Sequence, residues 1–193
     1  IRGIFRYWVL MKKILIVGGS GFLGKNIFDG LSDYYSFVIA SRSKSGSGIL
    51  TYRDVNDLVG QLARHEFYGI INCAVAYGRN EEGVEEIEDT NFLLPKSLAI
   101  YASSNNIDLF INCDSFYRCF SRGVENNKYI FFKKKTFNYL KTLDLNSETK
   151  IVSATIHHMY GPGDSLNKII NSVVYRLQNS QEVTLSACEQ LRY

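Results

Sequence analysis

The sequence predicts an α/β protein with a doubly wound parallel sheet, and three observations predict it. Short apolar runs rich in Ile, Val and Phe lack the polar alternation of a half-exposed sheet, so both faces of the sheet are expected to be covered. Segments of helical period separate these runs, the order that joins parallel strands through crossover helices. The first run also passes into the first helical segment through a glycine-rich turn.

Taken in order, Lys12 to Val17 reads as a buried strand, followed by a helix from Phe22 to Leu31 with Leu23, Ile27, Phe28 and Leu31 on one face. Phe37 to Ala40 is the second strand. A Ser/Gly-rich loop spans Ser41 to Gly48, then a short strand lies near Ile49 to Tyr52 and a helix runs from Asp54 to His65. Gly69 to Cys73 is a strand, Glu85 to Ser104 one long helix, Leu109 to Cys113 a strand, Lys128 to Leu143 a helix and Ile151 to Ile156 a strand. Leu166, Ile169, Ile170, Val173, Val174 and Leu177 give the segment from Ser165 to Gln178 an apolar helical stripe, and Glu182 to Leu185 reads as a last strand.

Composition bounds the function. With 193 residues, 46% hydrophobic and 21% charged, the chain suits one well-buried domain. A net charge of +3 gives no reason to expect nucleic acid or an anionic membrane surface as partner. The run Lys133-Lys134-Lys135 reads as a solvated helix face. Cys73, Cys113, Cys119 and Cys188 have neither disulfide nor metal-ligand spacing and are expected to act as small core hydrophobes in a reducing compartment. The rings of His157 and His158 point to opposite faces of an extended segment, so no metal site is expected. Residues 1–10 are too broken in hydropathy to span a membrane and lack a cleavage site; they are expected to be an extension upstream of a start at Met11, which places the protein in the cytoplasm.

Gly18-Gly19-Ser20-Gly21-Phe22-Leu23-Gly24 carries the chemistry of the first turn. The spacing Gly18-x-x-Gly21-x-x-Gly24 meets three needs: a tight turn, backbone N–H groups that approach a pyrophosphate, and close helix–strand packing. The start of the helix then offers its partial positive charge to the phosphates. Residues 11–193 are therefore expected to form a Rossmann-type dinucleotide-binding domain. An acid about 20 residues past the glycines would bind the ribose 2′-OH of NAD. Ala40-Ser41-Arg42-Ser43 stands there instead, and a guanidinium among hydroxyls suits the 2′-phosphate of NADP, with NAD as the other option.

Tyr129-x-x-x-Lys133 places a phenol and an ammonium one helical turn apart. The ammonium lowers the phenol pKa and can hold a nicotinamide ribose, leaving the tyrosine able to exchange a proton with a carbonyl. The spacing alone carries little weight in a chain with 13 Tyr. Position adds weight: the pair opens the helix that follows strand Leu109 to Cys113, and Ser115 sits just past that strand's C-terminal end, where such sheets hold their ligands.

With these residues in place the sequence resembles the extended short-chain dehydrogenase/reductase family, the nucleotide-sugar epimerases, dehydratases and reductases. The markers are the glycine turn, Asp54-Val55, Asn72-Cys73-Ala74-Val75-Ala76, Asn91, Ser115, Tyr129 with Lys133, and Tyr160-Gly161-Pro162. The resemblance implies that Asp54 and Val55 contact the adenine and that Cys73, Ala74 and Val75 face the cofactor. It also implies that Ser115 hydrogen-bonds the reacting oxygen, Tyr129 is the acid/base and Lys133 tunes it, with Tyr77 and His158 on the substrate side. The family's 4,6-dehydratases carry Asp-Glu after the catalytic hydroxyl, and its 3,5-epimerising reductases a Cys two positions on. Phe116-Tyr117 stand here, which leaves chemistry at one carbonyl.

The stretches Ile70 to Asn80, Ile111 to Cys113 and His158 to Gly161 most resemble synthases of CDP-paratose and CDP-abequose. That likeness implies NADPH reduction of a CDP-4-keto-3,6-dideoxyglucose-like nucleotide sugar for O-antigen synthesis, by a homodimer paired through the helices at 85–104 and 128–143. An NAD-dependent 4-epimerase is the alternative, and an inactive dinucleotide-binding fragment or sensor the third reading. Gln190-Leu191-Arg192-Tyr193 reaches the segment where the family enters its sugar-nucleotide lobe. Only the beginning of that lobe, from about residue 160, is expected in this chain.

Overall fold

A computed structural model describes residues 11–78, 82–119 and 127–184. Six strands, β1 (Lys13–Val17), β2 (Ser36–Ser41), β3 (Ile49–Thr51), β4 (Gly69–Asn72), β5 (Leu109–Ser115) and β6 (Lys150–Ile156), form one sheet. Its order is β3-β2-β1-β4-β5-β6, every pairing parallel. This is the doubly wound order in which the chain reverses direction between β1 and β4, opening a crevice at the strands' C-terminal ends.

Alternation along β1 separates the two layers. Leu15 and Val17 join Ile70 and Phe110 beneath α2 (Val55–Leu62), α4 (Leu94–Ser104) and α5 (Lys128–Asp144), where Leu58, Leu62, Leu98, Ala102 and Leu140 complete the main core. Ile14, Ile16 and Ile71 face the other way, toward Ile27 and Phe28 of α1 (Phe22–Leu31). Leu31, expected on the apolar face of α1, is 38% exposed because it lies at the end of the helix, where the chain turns toward β2.

The expected long helix is interrupted. α3 (Val84–Glu88) passes into a π-helical turn, Asp89–Leu93, before α4 resumes. Pro95 accounts for it: proline has no N–H for the carbonyl four residues back and its ring crowds that carbonyl. The carbonyl in question belongs to Asn91, and it accepts the Thr136 hydroxyl of α5 instead. The Asn91 amide donates to the carbonyls of Ala76 (2.7 Å) and Ile87 (2.9 Å), tying the loop after β4 to the wide turn. Thr136→Val leaves that buried carbonyl short of a partner and is expected to cost about 1–2 kcal/mol in urea unfolding.

β5 runs two residues past its expected end because β6 pairs along its whole length, Ser115 opposite Ile156. α2 stops at Leu62 rather than His65, the last residues closing in turns (Arg64 N to Gln61 O, His65 N to Leu62 O).

The chain divides into two compact units between His157 and His158. In the second, the Asn171 amide donates to the carbonyls of Gly161 (3.3 Å) and Asp164 (2.9 Å), and Lys168 pairs with Asp164 at 2.9 Å. Its helix α6 (Ile169–Gln178) begins four residues later than expected, and none of its residues is buried. The strand expected at Glu182 is absent among the described residues, which end at 184; Leu185 and Cys188 lie beyond them, as do residues 1–10.

Candidate active site

The glycine turn is built by close approach. Gly18 (φ 76°) donates its N–H to the Ala40 carbonyl at 3.0 Å, and a Cβ there would stand 2.7 Å from the Ala74 nitrogen. A Cβ on Gly24 would meet the Gly18 carbonyl oxygen at 2.6 Å, so α1 can lie against the turn only with glycine at this position. Around Gly21 the space is open: a Cβ would meet nothing nearer than the Gly18 oxygen at 3.4 Å. Gly21 also begins α1 with no side-chain cap. The Gly21 N–H closes the turn onto the Gly18 carbonyl at 3.1 Å, and Phe22 and Leu23 follow at the start of the helix, the end that receives a pyrophosphate in such turns.

Beside it the end of β2 is tied to the turn. The Ser41 hydroxyl, 3% exposed, shares a hydrogen bond with that of Ser20 (3.3 Å) and accepts the amides of Ser43 (3.3 Å) and Lys44 (3.2 Å). Next to it lies a hollow lined by Arg42, Arg53, Asp54, Val55, Asp89 and Thr90. Asp54 caps α2 by accepting the Asp57 amide at 2.9 Å, while the Asp57 carboxylate accepts the amide of Arg53, one residue before the cap, at 2.9 Å. Buried Tyr52 forms the back wall, its phenol pKa raised by burial against the pull of Arg42. Thr90 Oγ1 is buried with no hydrogen-bond partner among the described residues. An unpartnered hydroxyl in a hollow lined by guanidiniums and carboxylates fits a polar ligand such as a dinucleotide. Arg42 itself is half-exposed and held by Glu86 of α3 at 3.3 Å.

Ser115 and the Tyr129–Lys133 pair come from β5 and from the helix α5 that packs against it. Ser115 is the last residue of β5, and its hydroxyl accepts the Tyr117 amide at 3.2 Å. Asn127 caps α5 through the Ile130 amide (3.2 Å), and that cap starts the helix that carries Tyr129 and Lys133 inward, both buried. Lys133 therefore leaves the solvated lysine face to which its run assigned it. Its ammonium donates to the Cys113 carbonyl at 3.1 Å, fastening α5 to the strand two residues before Ser115. Lys135 does stay on the surface, paired with Glu88 at 3.1 Å. Burial pulls the Lys133 pKa down, opposed by the Asp114 carboxylate and by the thiols of Cys113 and Cys73.

The Tyr77 ring, 47% exposed, lies 5.2 Å from that of Tyr129, centroid to centroid. Ala74 and Cys73 are half-buried behind the glycine turn and Val75 is exposed. Cys73 and Cys113 pack against the Ile14, Ile16 and Ile71 layer as expected, their thiols 3.7 Å apart, whereas Cys119 is exposed and fills no core. The shared hydrogen bond and burial raise the Cys73 pKa; the same bond, with Lys133 nearby, lowers that of Cys113. His158 is exposed and belongs to the second unit.

Asn72 and Asn112 enter the sequence reading only within marker stretches, and Asp114 and Arg118 do not enter it. Asn72 donates to Asn112 at 2.9 Å, a buried amide pair in register across β4 and β5. Asp114 forms an ion pair with Arg118, whose guanidinium lies 3.7 Å over the Phe137 ring of α5. Polar residues inside apolar runs, and the Asp114-x-x-x-Arg118 spacing, were the available signals.

Known proteins share the sequence and the fold. The chain is 28% identical to the CDP-abequose synthase of Salmonella typhimurium over 95% of its own length, and 24% identical to that of Salmonella muenchen over 94%. It spans 65% and 64% of those two relatives. Among solved structures, Bordetella bronchiseptica WbmG in complex with NAD superposes with a TM-score of 0.73 at 19% identity, covering 92% of this chain and 63% of that one. The UDP-N-acetylglucosamine 4-epimerase of Bacillus cereus gives 0.74 at 19%, covering 89% and 64%. Residues 14–192 match a single family over nearly the whole chain, and the protein belongs to it: the NAD dependent epimerase/dehydratase family.

Proposed function

We propose that this chain carries the cofactor-binding and proton-transfer half of a reductase. The substrate is a nucleotide-linked 4-keto-deoxysugar of the CDP-4-keto-3,6-dideoxyglucose type, and the product feeds O-antigen synthesis. The observation that carries this reading is the fastening of buried Lys133 to the Cys113 carbonyl. It ties the helix bearing Tyr129 to the strand that ends at Ser115. The likeness to CDP-abequose synthases supports the substrate class.

The turn from Gly18 to Gly24 holds the pyrophosphate on backbone amides, with Ser20 and Ser41 beside it, and Asp54 and Val55 line the adenosine end. Arg42 receives a 2′-phosphate when NADP is bound. NADPH, when bound, supplies the hydride for the C4 carbonyl. Ser115 donates a hydrogen bond to the C4 oxygen, and the Tyr129 hydroxyl gives its proton to the same oxygen as negative charge develops there. Lys133 steadies that charge and holds the nicotinamide ribose, while Tyr77 faces the sugar nucleotide.

Mixing the protein with NADPH and CDP-4-keto-3,6-dideoxyglucose is expected to consume the reduced nicotinamide and give one 4-hydroxy product. Unchanged absorbance of the reduced nicotinamide defeats the reading. Interconversion of C4 epimers with NAD retained through turnover selects the epimerase instead.

The direction of the Lys133 shift sets a pH dependence. Its ammonium must be charged to act, so kcat is expected to fall on an alkaline limb below the range where lysine ordinarily titrates. Asp114→Asn removes the carboxylate that opposes the shift, which lowers the lysine pKa further. A kcat–pH profile of that variant is expected to show the limb moved to more acid pH.

A further inference from the structure

We propose that Glu86 sets the cofactor selectivity of the dinucleotide site by competing with the 2′-phosphate of NADP for the Arg42 guanidinium. The inference rests on the cofactor reading above and concerns a residue outside the glycine turn and the reacting centre.

Arg42 directly follows Ser41, the last residue of β2, where the ribose 2′ substituent is read in a sheet of this order. Its Nη2 donates to Glu86 Oε1 at 3.3 Å. Glu86 lies on α3, three and four residues before Asp89 and Thr90, which line the same hollow as Arg42. The other guanidinium of that hollow, Arg53, is engaged by Asp57 at 3.3 Å. Each guanidinium of the hollow is thus already paired with a carboxylate, and Asp54 and Asp89 line the same hollow, so a dianionic phosphate must compete for its cation.

Both partners of the Arg42–Glu86 pair are nearly half exposed, at 43% and 45%. An ion pair at this exposure is exchangeable, so it taxes the phosphate without excluding it. The 2′-hydroxyl of NAD asks nothing of Arg42 and leaves the pair intact. The chain thus binds both cofactors, with NADP handicapped by the cost of releasing Arg42.

The test is the ratio of NADP to NAD Kd in the whole chain, measured by titration calorimetry at one fixed salt concentration. Thermal melts confirm that each variant is folded. Glu86→Gln is expected to tighten NADP about fivefold, the size of a half-exposed ion pair, and to leave NAD within about twofold. Glu85→Gln removes the same charge from the neighbouring position without touching Arg42, and is expected to leave the ratio within about twofold. In an Arg42→Ala background the gain from Glu86→Gln is expected to vanish. An unchanged ratio in Glu86→Gln overturns the inference, as does an equal gain in Glu85→Gln or a gain that persists without Arg42. If the wild-type chain binds neither nucleotide, the cofactor reading itself falls, and this inference with it.

Discussion

Tyr129→Phe is expected to lower kcat by about 10³-fold while leaving the Kd for dinucleotide within about twofold. The substitution keeps the ring, which is buried at the start of α5 and packed 5.2 Å from the ring of Tyr77, so helix and core are preserved. Only the hydroxyl that gives the proton is lost. A positioned general acid contributes about 10²–10⁴-fold, and without it the developing alkoxide must take its proton from water. Steady-state kinetics alongside cofactor titration separates the two quantities. Tyr77→Phe, one ring away and placed on the substrate side, is expected to change KM more than kcat. A Tyr129→Phe enzyme within tenfold of the parent rate removes the assignment of the acid.

Gly18→Ala is expected to destabilise the chain by about 3 kcal/mol or more and to abolish dinucleotide binding. Two costs add. A non-glycine residue at φ 76° carries a penalty of about 1–2 kcal/mol. The new Cβ also falls 2.7 Å from the Ala74 nitrogen and 2.8 Å from its Cα, both backbone atoms of the loop leaving β4, which cannot swing aside as a side chain can. Forcing that loop outward costs about 1–3 kcal/mol more and opens the floor of the cradle. Urea unfolding measures the first effect and cofactor titration the second. Gly21→Ala is the matched control: its Cβ meets nothing nearer than 3.4 Å, so stability is expected to change by less than about 1 kcal/mol while phosphate approach is hindered. Equal stability loss in both variants contradicts the division of roles among the glycines.

The elements most legible in the sequence were those whose pattern is local. β1, α1 and β4 appear within a residue of where the apolar runs and the glycine turn put them, because an apolar strand and a glycine that admits φ > 0 declare themselves over a few positions. The π-helical turn at Asp89–Leu93 was not legible, although Pro95 marks the place. A proline forbids one hydrogen bond but does not say whether the helix ends or widens, and the outcome turns on Thr136, 45 residues along, which accommodates the freed Asn91 carbonyl. The lysine run misled for a related reason. Composition treats three adjacent lysines alike, whereas the helix turns Lys133 into the sheet edge and Lys135 out to Glu88.

Sequence by itself determined the fold class, the glycine turn and the family, each of which is written in residue type and spacing along one stretch of chain. Only the tertiary structure decided that Lys133 grips the Cys113 carbonyl, that Asn91 joins the loop after β4 to a widened helix, and that Glu86 holds Arg42. Those contacts join residues 15 to 44 positions apart, and the partner of a charged or amide group is set by which groups the packed helices bring within about 3 Å, a quantity no local pattern encodes.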